Sequence, residues 1–312
     1  MTVGRASVAN PTRLGLGIDA GGTQTRWALS DDAGAVIGSG SVPGLSGMQM
    51  HSEAGRAELA ATLVELTGAV ATETAGRTIH AIVAGVTGIG SGNPELTRML
   101  AATFGLSDEC VVLGSDIEIA YHAVLRSGKG YLVYAGTGSI AAFIDESGAL
   151  HRAGGRGVAL DDAGGGYWIA HEALRRIWRR EDETPGIWRD SSMARALFEK
   201  VGGDSSIFSV RYLMERSRGE VGALAMIVAS CADTDALALQ TLCDAGRELA
   251  RLANAMTLRY GQRPIVLSGR SATLHPCIAQ QMKLALLPGA EMALRQADAH
   301  ISAARRAAQY VP

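Results

Sequence analysis

Two glycine-rich turns, each following an apolar run, are the segments of this chain best suited to chemistry. The first is Asp19-Ala20-Gly21-Gly22-Thr23, and the second is Gly136-Thr137-Gly138-Ser139. Glycines let backbone N–H groups approach an anion closely, and the hydroxyls of threonine and serine add donors. Two such turns predict a phosphate chain bound from two sides. Asp19 cannot favour a bare phosphate, so it indicates a divalent cation beside the phosphates.

A carboxylate suited to proton transfer follows another apolar run. Asp116 comes just after the predicted strand 110–113, and functional aspartates commonly lie at the carboxyl ends of strands in α/β folds. One base is what phosphoryl transfer to an alcohol requires, because positioning and charge neutralisation supply most of the catalysis. The same residue could instead cap the predicted helix 117–126, and its position alone leaves both interpretations open.

The elements that carry these turns occur twice. Strand, glycine turn, strand and acidic hairpin follow one another over 14–41 and again over 130–148. This repeat predicts two related α/β domains, 1–127 and 128–296, the second with a mostly helical insertion. We expect the closing helix, 297–312, to pack on the first domain. Other predicted elements are helix 52–71, strand 79–86, helix 94–104 capped by Asn93, and strand 264–267.

Bulk properties narrow the function classes. The net charge of −2 over 312 residues gives no general attraction to nucleic acid or to a membrane. The four cysteines form no CxxC pair, which disfavours a zinc knuckle or a redox dithiol. Residues 1–13 lack the apolar segment of a secretion signal, and no apolar stretch approaches the roughly 20 residues of a membrane span. We therefore expect a cytoplasmic protein with no nucleic-acid or membrane partner.

Taken in order, five motifs resemble the BadF/BadG/BcrA/BcrD-type branch of the actin-like ATPase and sugar-kinase superfamily. They are the two turns, Gly114-Ser115-Asp116, the loop 154–157 and the run 161–169. The resemblance covers about residues 14–307 and is strongest to N-acetylglucosamine kinases and bacterial glucosamine kinases. It implies an α/β fold of two actin-like (ribonuclease H-like) domains with a cleft between them. It also implies ATP and Mg²⁺ as cofactors.

The resemblance assigns roles to individual residues. Asp19 would act on Mg²⁺ through water, and Asp116 would accept the proton of the sugar hydroxyl. ATP would be bound by the two turns and by an adenosine region, namely Gly21, Gly22, Thr23, Gly136, Thr137, Gly138, Ser139, Gly269 and Arg270. The sugar would be bound by Asp116 together with Ser46, Gln49, Gly155, Arg156 and Asp162.

Three positions depart from the family pattern. Arg156 stands where N-acetylglucosamine kinases carry Trp, and Ala163 stands where the family usually has Glu. Arg270 occupies a position that is often small. Because bacterial glucosamine kinases can carry Arg at the first of these positions, the sugar remains open between N-acetylglucosamine and glucosamine.

The expected activity is ATP-dependent phosphorylation of the 6-hydroxyl of an amino sugar, by a homodimer. One alternative is an activator ATPase of a 2-hydroxyacyl-CoA dehydratase or benzoyl-CoA reductase system. Such an activator needs paired, exposed cysteines for an iron–sulfur cluster, and the cysteines here are dispersed. A second alternative is a non-catalytic sugar sensor with the same fold, which the altered adenosine region keeps open.

Overall fold

The computed structural model describes residues 13–89 and 92–311, which divide into two compact units. One unit runs up to Ala123 and includes the C-terminal segment from Asp298 onward, and the other is Val124–Ala297. Each unit has its own cluster of buried apolar side chains. The assignment of 1–127 and 128–296 as domains stays a prediction beside these bounds.

The described residues form ten strands and ten α-helices. The strands are β1 Leu14–Ala20, β2 Gln24–Asp31, β3 Val36–Pro43, β4 Ile79–Val86, β5 Val111–Gly114, β6 Tyr131–Ala135, β7 Ser139–Ile144, β8 Leu150–Gly154, β9 Ile265–Ser268 and β10 Met292–Leu294. The α-helices are α1 Glu53–Glu73, α2 Pro94–Phe104, α3 Asp116–Val124, α4 Gly166–Glu183, α5 Ser192–Val201, α6 Ser206–Glu215, α7 Arg218–Cys231, α8 Ala236–Tyr260, α9 Pro276–Ala285 and α10 Ala299–Ala308.

The two sheets share one plan. The first has the strand order β3-β2-β1-β4-β5 and the second has the order β10-β9-β6-β7-β8. In each sheet three consecutive strands form an antiparallel meander. Two further strands continue the sheet beyond the first strand of that meander and run parallel to it. The repeat predicted from the sequence is therefore confirmed, and the fold is α/β with two mixed sheets.

The C-terminal helix α10 packs directly on strand β1 in the first unit. A side chain at Gly15 or Gly17 would overlap the backbone of α10, so these glycines permit the close approach. The facing surface of α10 is made of small residues, with Ala303, Ala304 and Ala307 almost fully buried. A helix lined with alanine can lie this close to a strand because few side-chain atoms intervene.

Most predicted elements lie within a few residues of the observed ones. Helix α2 begins as predicted, with the Asn93 side chain accepting from Leu96 N–H at 3.0 Å and Pro94 in the first turn. Strands β8 and β10 were not predicted. Both are short, and β8 has no fully buried residue, so neither carries a strong apolar signal.

Within the described residues, no single helix has the length and apolar character needed to cross a membrane. Helices α7 and α8 meet those criteria only as a pair, which is bent by 120° at the break.

Candidate functional site

The first glycine turn joins β1 to β2 and is open to solvent. Gly21 N–H donates to the Gln24 carbonyl at 3.1 Å, while Gly22 and Thr23 are exposed. Gly44 packs so closely on the Gly22 carbonyl that a side chain there would overlap it. The exposed part of the turn thus leaves Thr23 accessible as a donor, as the predicted phosphate contact requires.

Asp19, just before this turn, is held by an arginine that sequence reasoning missed. Asp19 and Arg26 are cross-strand partners in the β1–β2 register, and Arg26 Nη2 lies 2.7 Å from Asp19 Oδ2. The hairpin formed by two strands around a short turn was the signal that could have identified this pair. Arg26 fixes one carboxylate oxygen of Asp19, which orients the side chain.

Asp116 lies at the carboxyl end of β5, as predicted, and another residue caps the helix after it. Ser115 and Glu118 form the cap: the Ser115 N–H and Oγ both donate to Glu118 Oε2 at 2.7 Å, and Glu118 N–H faces Ser115 Oγ at 3.4 Å. The Asp116 carboxylate instead accepts from the adjacent Ile117 N–H, at 2.9 Å. The capping interpretation of Asp116 is therefore wrong, because Ser115 performs that role.

The electrostatic setting of Asp116 favours its protonated form. Burial raises the pKa of Asp116 above its usual 3.8, and the nearby charge of Asp19 raises it as well. Hydrogen bonds from Ile117 N–H and the Thr87 side chain lower the pKa, but burial dominates. A carboxylate with a raised pKa is a better proton acceptor near neutral pH than an ordinary aspartate.

Thr87 connects Asp116 with the loop 43–49, which carries the predicted sugar-binding residues Ser46 and Gln49. Its carbonyl accepts from Gly47 N–H at 2.9 Å and from Ser46 Oγ at 3.3 Å. Ser46 and Gln49 also form a capping box for the short 3₁₀ helix Gly47–His51, in which Ser46 N–H donates to Gln49 Oε1 at 3.0 Å. The loop therefore lies close to Asp116. Polar atoms of Ser46 and Gln49 already take part in hydrogen bonds within the loop.

The second glycine turn, in the other unit, is held by one internal hydrogen bond and by two other segments, the start of α4 and the segment at Ser271. Gly136 N–H donates to the Gly138 carbonyl at 2.9 Å, and the Gly136 carbonyl accepts from Gly166 N–H at 2.8 Å and Ser271 Oγ at 2.7 Å. Tyr167 N–H donates to the Thr137 carbonyl at 2.9 Å. Thr137 and Gly138, which lie between these contacts, are half-buried.

The side chain of Ser139, a predicted phosphate-binding residue, already has an acceptor within the protein. Its side chain is buried, and its Oγ donates to the Ala163 carbonyl at 2.6 Å. Because that hydroxyl already has an internal acceptor, Ser139 stabilises the packing of the turn on the segment before α4. Its proposed contact with phosphate stays an untested prediction that would require this bond to break.

The second predicted sugar-binding loop, 154–162, contains a buried carboxylate. Asp162 is 3% exposed and has a φ of 59°, a left-handed conformation that aspartate tolerates better than most residues. Its Oδ1 accepts from Gly157 N–H at 3.0 Å, and its Oδ2 lies so close to Gly138 that a side chain there would overlap it. Arg156, by contrast, is exposed.

Gly155 and the predicted adenosine-binding residues lie in the same unit as the second glycine turn. Gly155 N–H donates to the Ser139 carbonyl at 2.9 Å. Gly269, with a φ of 100°, packs against the backbone of Ala135, where a side chain would overlap it. Arg270 is exposed next to it. The second unit therefore brings together the turn 136–139, the loop 155–162 and the segment 269–271.

Magnesium was predicted through Asp19, and the acidic groups of the first unit fit that cation. Within the ranges the structure describes, no three side chains of the His, Cys, Asp or Glu type form a direct metal cluster. Asp19 and Asp116 nevertheless lie near enough for the charge of one to raise the pKa of the other. Mg²⁺ commonly uses one or two carboxylates together with water and substrate phosphates, so this donor set suits it.

Comparisons with known proteins identify the family. The model of the BadF/BadG/BcrA/BcrD ATPase family matches residues 16–285, and this chain belongs to that family. N-acetyl-D-glucosamine kinase of Dictyostelium discoideum is 30% identical over 99 residues, which are 29% of this chain and 30% of that protein. The match thus spans less than a third of the length of this curated relative.

Solved structures share the fold over nearly the whole chain. A candidate N-acetylglucosamine kinase from Chromobacterium violaceum is 22% identical with a TM-score of 0.69, covering 94% of this chain and 98% of that one. A second, from Porphyromonas gingivalis, is 17% identical with a TM-score of 0.71, covering 93% and 96%. A ROK family glucokinase from Streptomyces griseus, in complex with glucose and AMPPNP, is 15% identical with a TM-score of 0.62, covering 95% and 100%. These likenesses show that this chain shares the fold of those three solved structures.

Proposed function

We propose that this protein is an ATP-dependent kinase that phosphorylates the 6-hydroxyl of an amino sugar, either N-acetylglucosamine or glucosamine. The observation that carries the proposal is the state of Asp116. Ser115 caps α3, so the Asp116 carboxylate is not needed for that purpose. Asp116 is also half-buried, and burial raises its pKa. These are the properties of a general base for an alcohol nucleophile.

In this proposal Asp116 accepts the hydroxyl proton as the sugar oxygen attacks the γ-phosphate. Ile117 N–H and Thr87 hold the carboxylate in position through their hydrogen bonds. Mg²⁺, when bound, would neutralise phosphate charge, and Asp19, oriented by Arg26, would hold it through water. Thr23 and the exposed backbone of its turn would donate to phosphate oxygens.

The second unit would contribute phosphate and sugar recognition. Thr137 and Gly138 would donate to the β- and γ-phosphates, and Gly269 and Arg270 would lie near the adenosine. Arg156 is exposed and has five N–H donors, so it would meet sugar hydroxyls or an acetyl oxygen more readily than an apolar wall would. As further parts of the proposal, the enzyme works in the cytoplasm as a homodimer.

The test is an ATP-coupled assay over a panel of hexoses and hexosamines, with Asp116→Asn as the inactive reference. The product should be a 6-phosphate, identified by correlation of its phosphorus signal with the two C6 protons in NMR. Transfer to another hydroxyl would contradict the proposed regiochemistry. Sugar binding without any turnover, by calorimetry, would instead favour the sensor alternative.

A further inference from the structure

Arg218, in the first turn of α7, is a charged residue beside the second glycine turn to which no role has yet been assigned. Its Nη2 lies 3.5 Å from Asp162 Oδ2, the same carboxylate oxygen that packs against Gly138. The Arg218 side chain is 60% exposed, whereas the Asp162 side chain is 4% exposed. Arg218 therefore extends from solvent to a buried carboxylate at the edge of the turn.

Helix α7 approaches this turn closely by means of a glycine. A Cβ at Gly222 would lie 3.3 Å from Thr137 Cγ2 and 3.4 Å from the backbone nitrogen of Tyr167. The start of α7 is closed by a capping box, in which Ser217 N–H and Oγ donate to Glu220 Oε2 at 2.9 and 2.7 Å. Arg218 directly follows Ser217, so its side chain leaves the first turn of a helix that packs on this glycine turn.

The contact with Asp162 and the number of donors on arginine together suit Arg218 to a phosphate. Arg218 Nη2 donates to the buried Asp162 carboxylate at 3.5 Å, beside Gly138 of the turn. A guanidinium has five N–H donors, so Arg218 can keep this contact and still donate to a phosphate oxygen. Asp162 in turn fixes one end of a long and otherwise mobile side chain.

We propose that Arg218 binds the β- or γ-phosphate of the nucleotide at the second glycine turn, and that Asp162 is its positioning residue. This inference rests on the proposed function, because it requires that the turn binds ATP. It assigns a nucleotide role to Asp162, which the family resemblance assigns to the sugar. No covalent step is involved, since the contact is a charge-assisted hydrogen bond.

Calorimetric titration of the full chain with ATP, ADP and AMP in the presence of Mg²⁺ tests the contact directly. Arg218→Ala should weaken ATP and ADP binding about tenfold or more, because a charge-assisted hydrogen bond is lost, and should change AMP binding by less than about threefold. Arg218→Lys should recover part of the loss. The matched control is Arg216→Ala, which removes an exposed arginine paired with Glu220 at 3.6 Å from the same loop.

Steady-state kinetics separate the nucleotide from the sugar. Arg218→Ala should raise the KM for ATP and leave the KM for the sugar near its original value. Asp162→Asn keeps the acceptor for Gly157 N–H but removes the charge, so it should raise the KM for ATP as well. The double variant should lose less than the sum of the two single losses, because both act on one contact.

Three results would overturn the inference. Unchanged ATP and ADP affinities in Arg218→Ala would show that the arginine does not touch phosphate, while the proposed kinase activity would stand. A rise confined to the KM for the sugar would place Arg218 in the sugar site. If the unaltered protein bound neither ATP nor ADP, the proposed function would fail and this inference with it.

Discussion

A single half-buried carboxylate, Asp116, links chemistry to stability in this protein. Asp116→Asn keeps the size and most hydrogen bonds of the side chain but cannot accept the hydroxyl proton. We expect phosphoryl transfer to fall about 10²–10⁴-fold, the usual contribution of base catalysis, with sugar affinity within about tenfold. Single-turnover rates and sugar titrations measure the two effects. Near-full turnover in the variant would mean that Asp116 is not the base.

The same substitution should affect stability in the opposite direction. A carboxyl whose pKa is raised by folding contributes stability that is complete below its unfolded pKa, near 3.8, and is lost as the pH rises through the folded pKa. Ionised Asp116 is therefore unfavourable at pH 7. Asp116→Asn should have the higher Tm at pH 7, and this advantage should shrink as the pH falls toward 4. A variant less stable than the parent at pH 7 would contradict this assignment of burial as the main cause.

Arg156 is the residue that should decide which amino sugar is preferred. Its exposed guanidinium brings donors and a fixed charge to a position where the resemblance to N-acetylglucosamine kinases would lead us to expect an apolar indole. We expect Arg156→Trp to raise the ratio of kcat/KM for N-acetylglucosamine over glucosamine. The parent should discriminate weakly between the two. A large ratio in the parent that the substitution leaves unchanged would mean that Arg156 points away from the sugar.

At the scale of elements, two helix glycines should respond to alanine with opposite signs. Gly68 is exposed on α1, and a Cβ added there would meet open space, whereas a side chain at Gly246 on α8 would overlap the Ile278 carbonyl of α9. Gly68→Ala should stabilise by about 0.5–1 kcal/mol through helix propensity. Gly246→Ala should destabilise by about 1–3 kcal/mol through overpacking. Urea unfolding midpoints measure both, and equal shifts would show that propensity alone decides.

Elements with a strong local signal could be predicted from the sequence. The hairpins around the two turns and the Asn93 cap of α2 depend on neighbouring residues, and the structure has them where they were expected. The partners of polar side chains could not be predicted in this way. Ser139 donates to Ala163, which is 24 positions away, and Arg218 contacts Asp162 from 56 positions away. Only the packed fold decides which acceptor takes a given donor.

The position of Asp116 in the sequence also could not decide whether its carboxylate caps α3 or serves as a base. From the sequence, Asp116 stayed open as either the base or the cap of α3, and Ser115 was not considered as a cap although its residue type suits that role. The structure resolves the choice because Glu118, one turn later, completes a capping box with Ser115. A serine followed three residues later by glutamate is itself a sequence signal for that box, and it could have assigned the cap without the structure.

At the scale of the whole molecule, the chain returns to the unit in which it began. After the second unit ends at Ala297, the segment from Asp298 joins the first unit and places α10 on β1. Strand β1 carries Asp19 at its end and lies at the centre of its sheet. The helix therefore covers the strand that positions a predicted magnesium ligand, which makes the C-terminus part of the site's support.

We expect truncation after Ala297 to unfold the first unit selectively. Removal of α10 takes away the alanines that cover the glycine-lined face of β1 and exposes that face, whereas the second unit keeps its own buried cluster. Hydrogen exchange followed by mass spectrometry should show lost protection in β1 and β4 and retained protection in β6 and α8. The control removes only 311–312, where Val311 is 80% exposed, and should exchange like the parent. Uniform loss of protection in both units would mean that they do not fold independently.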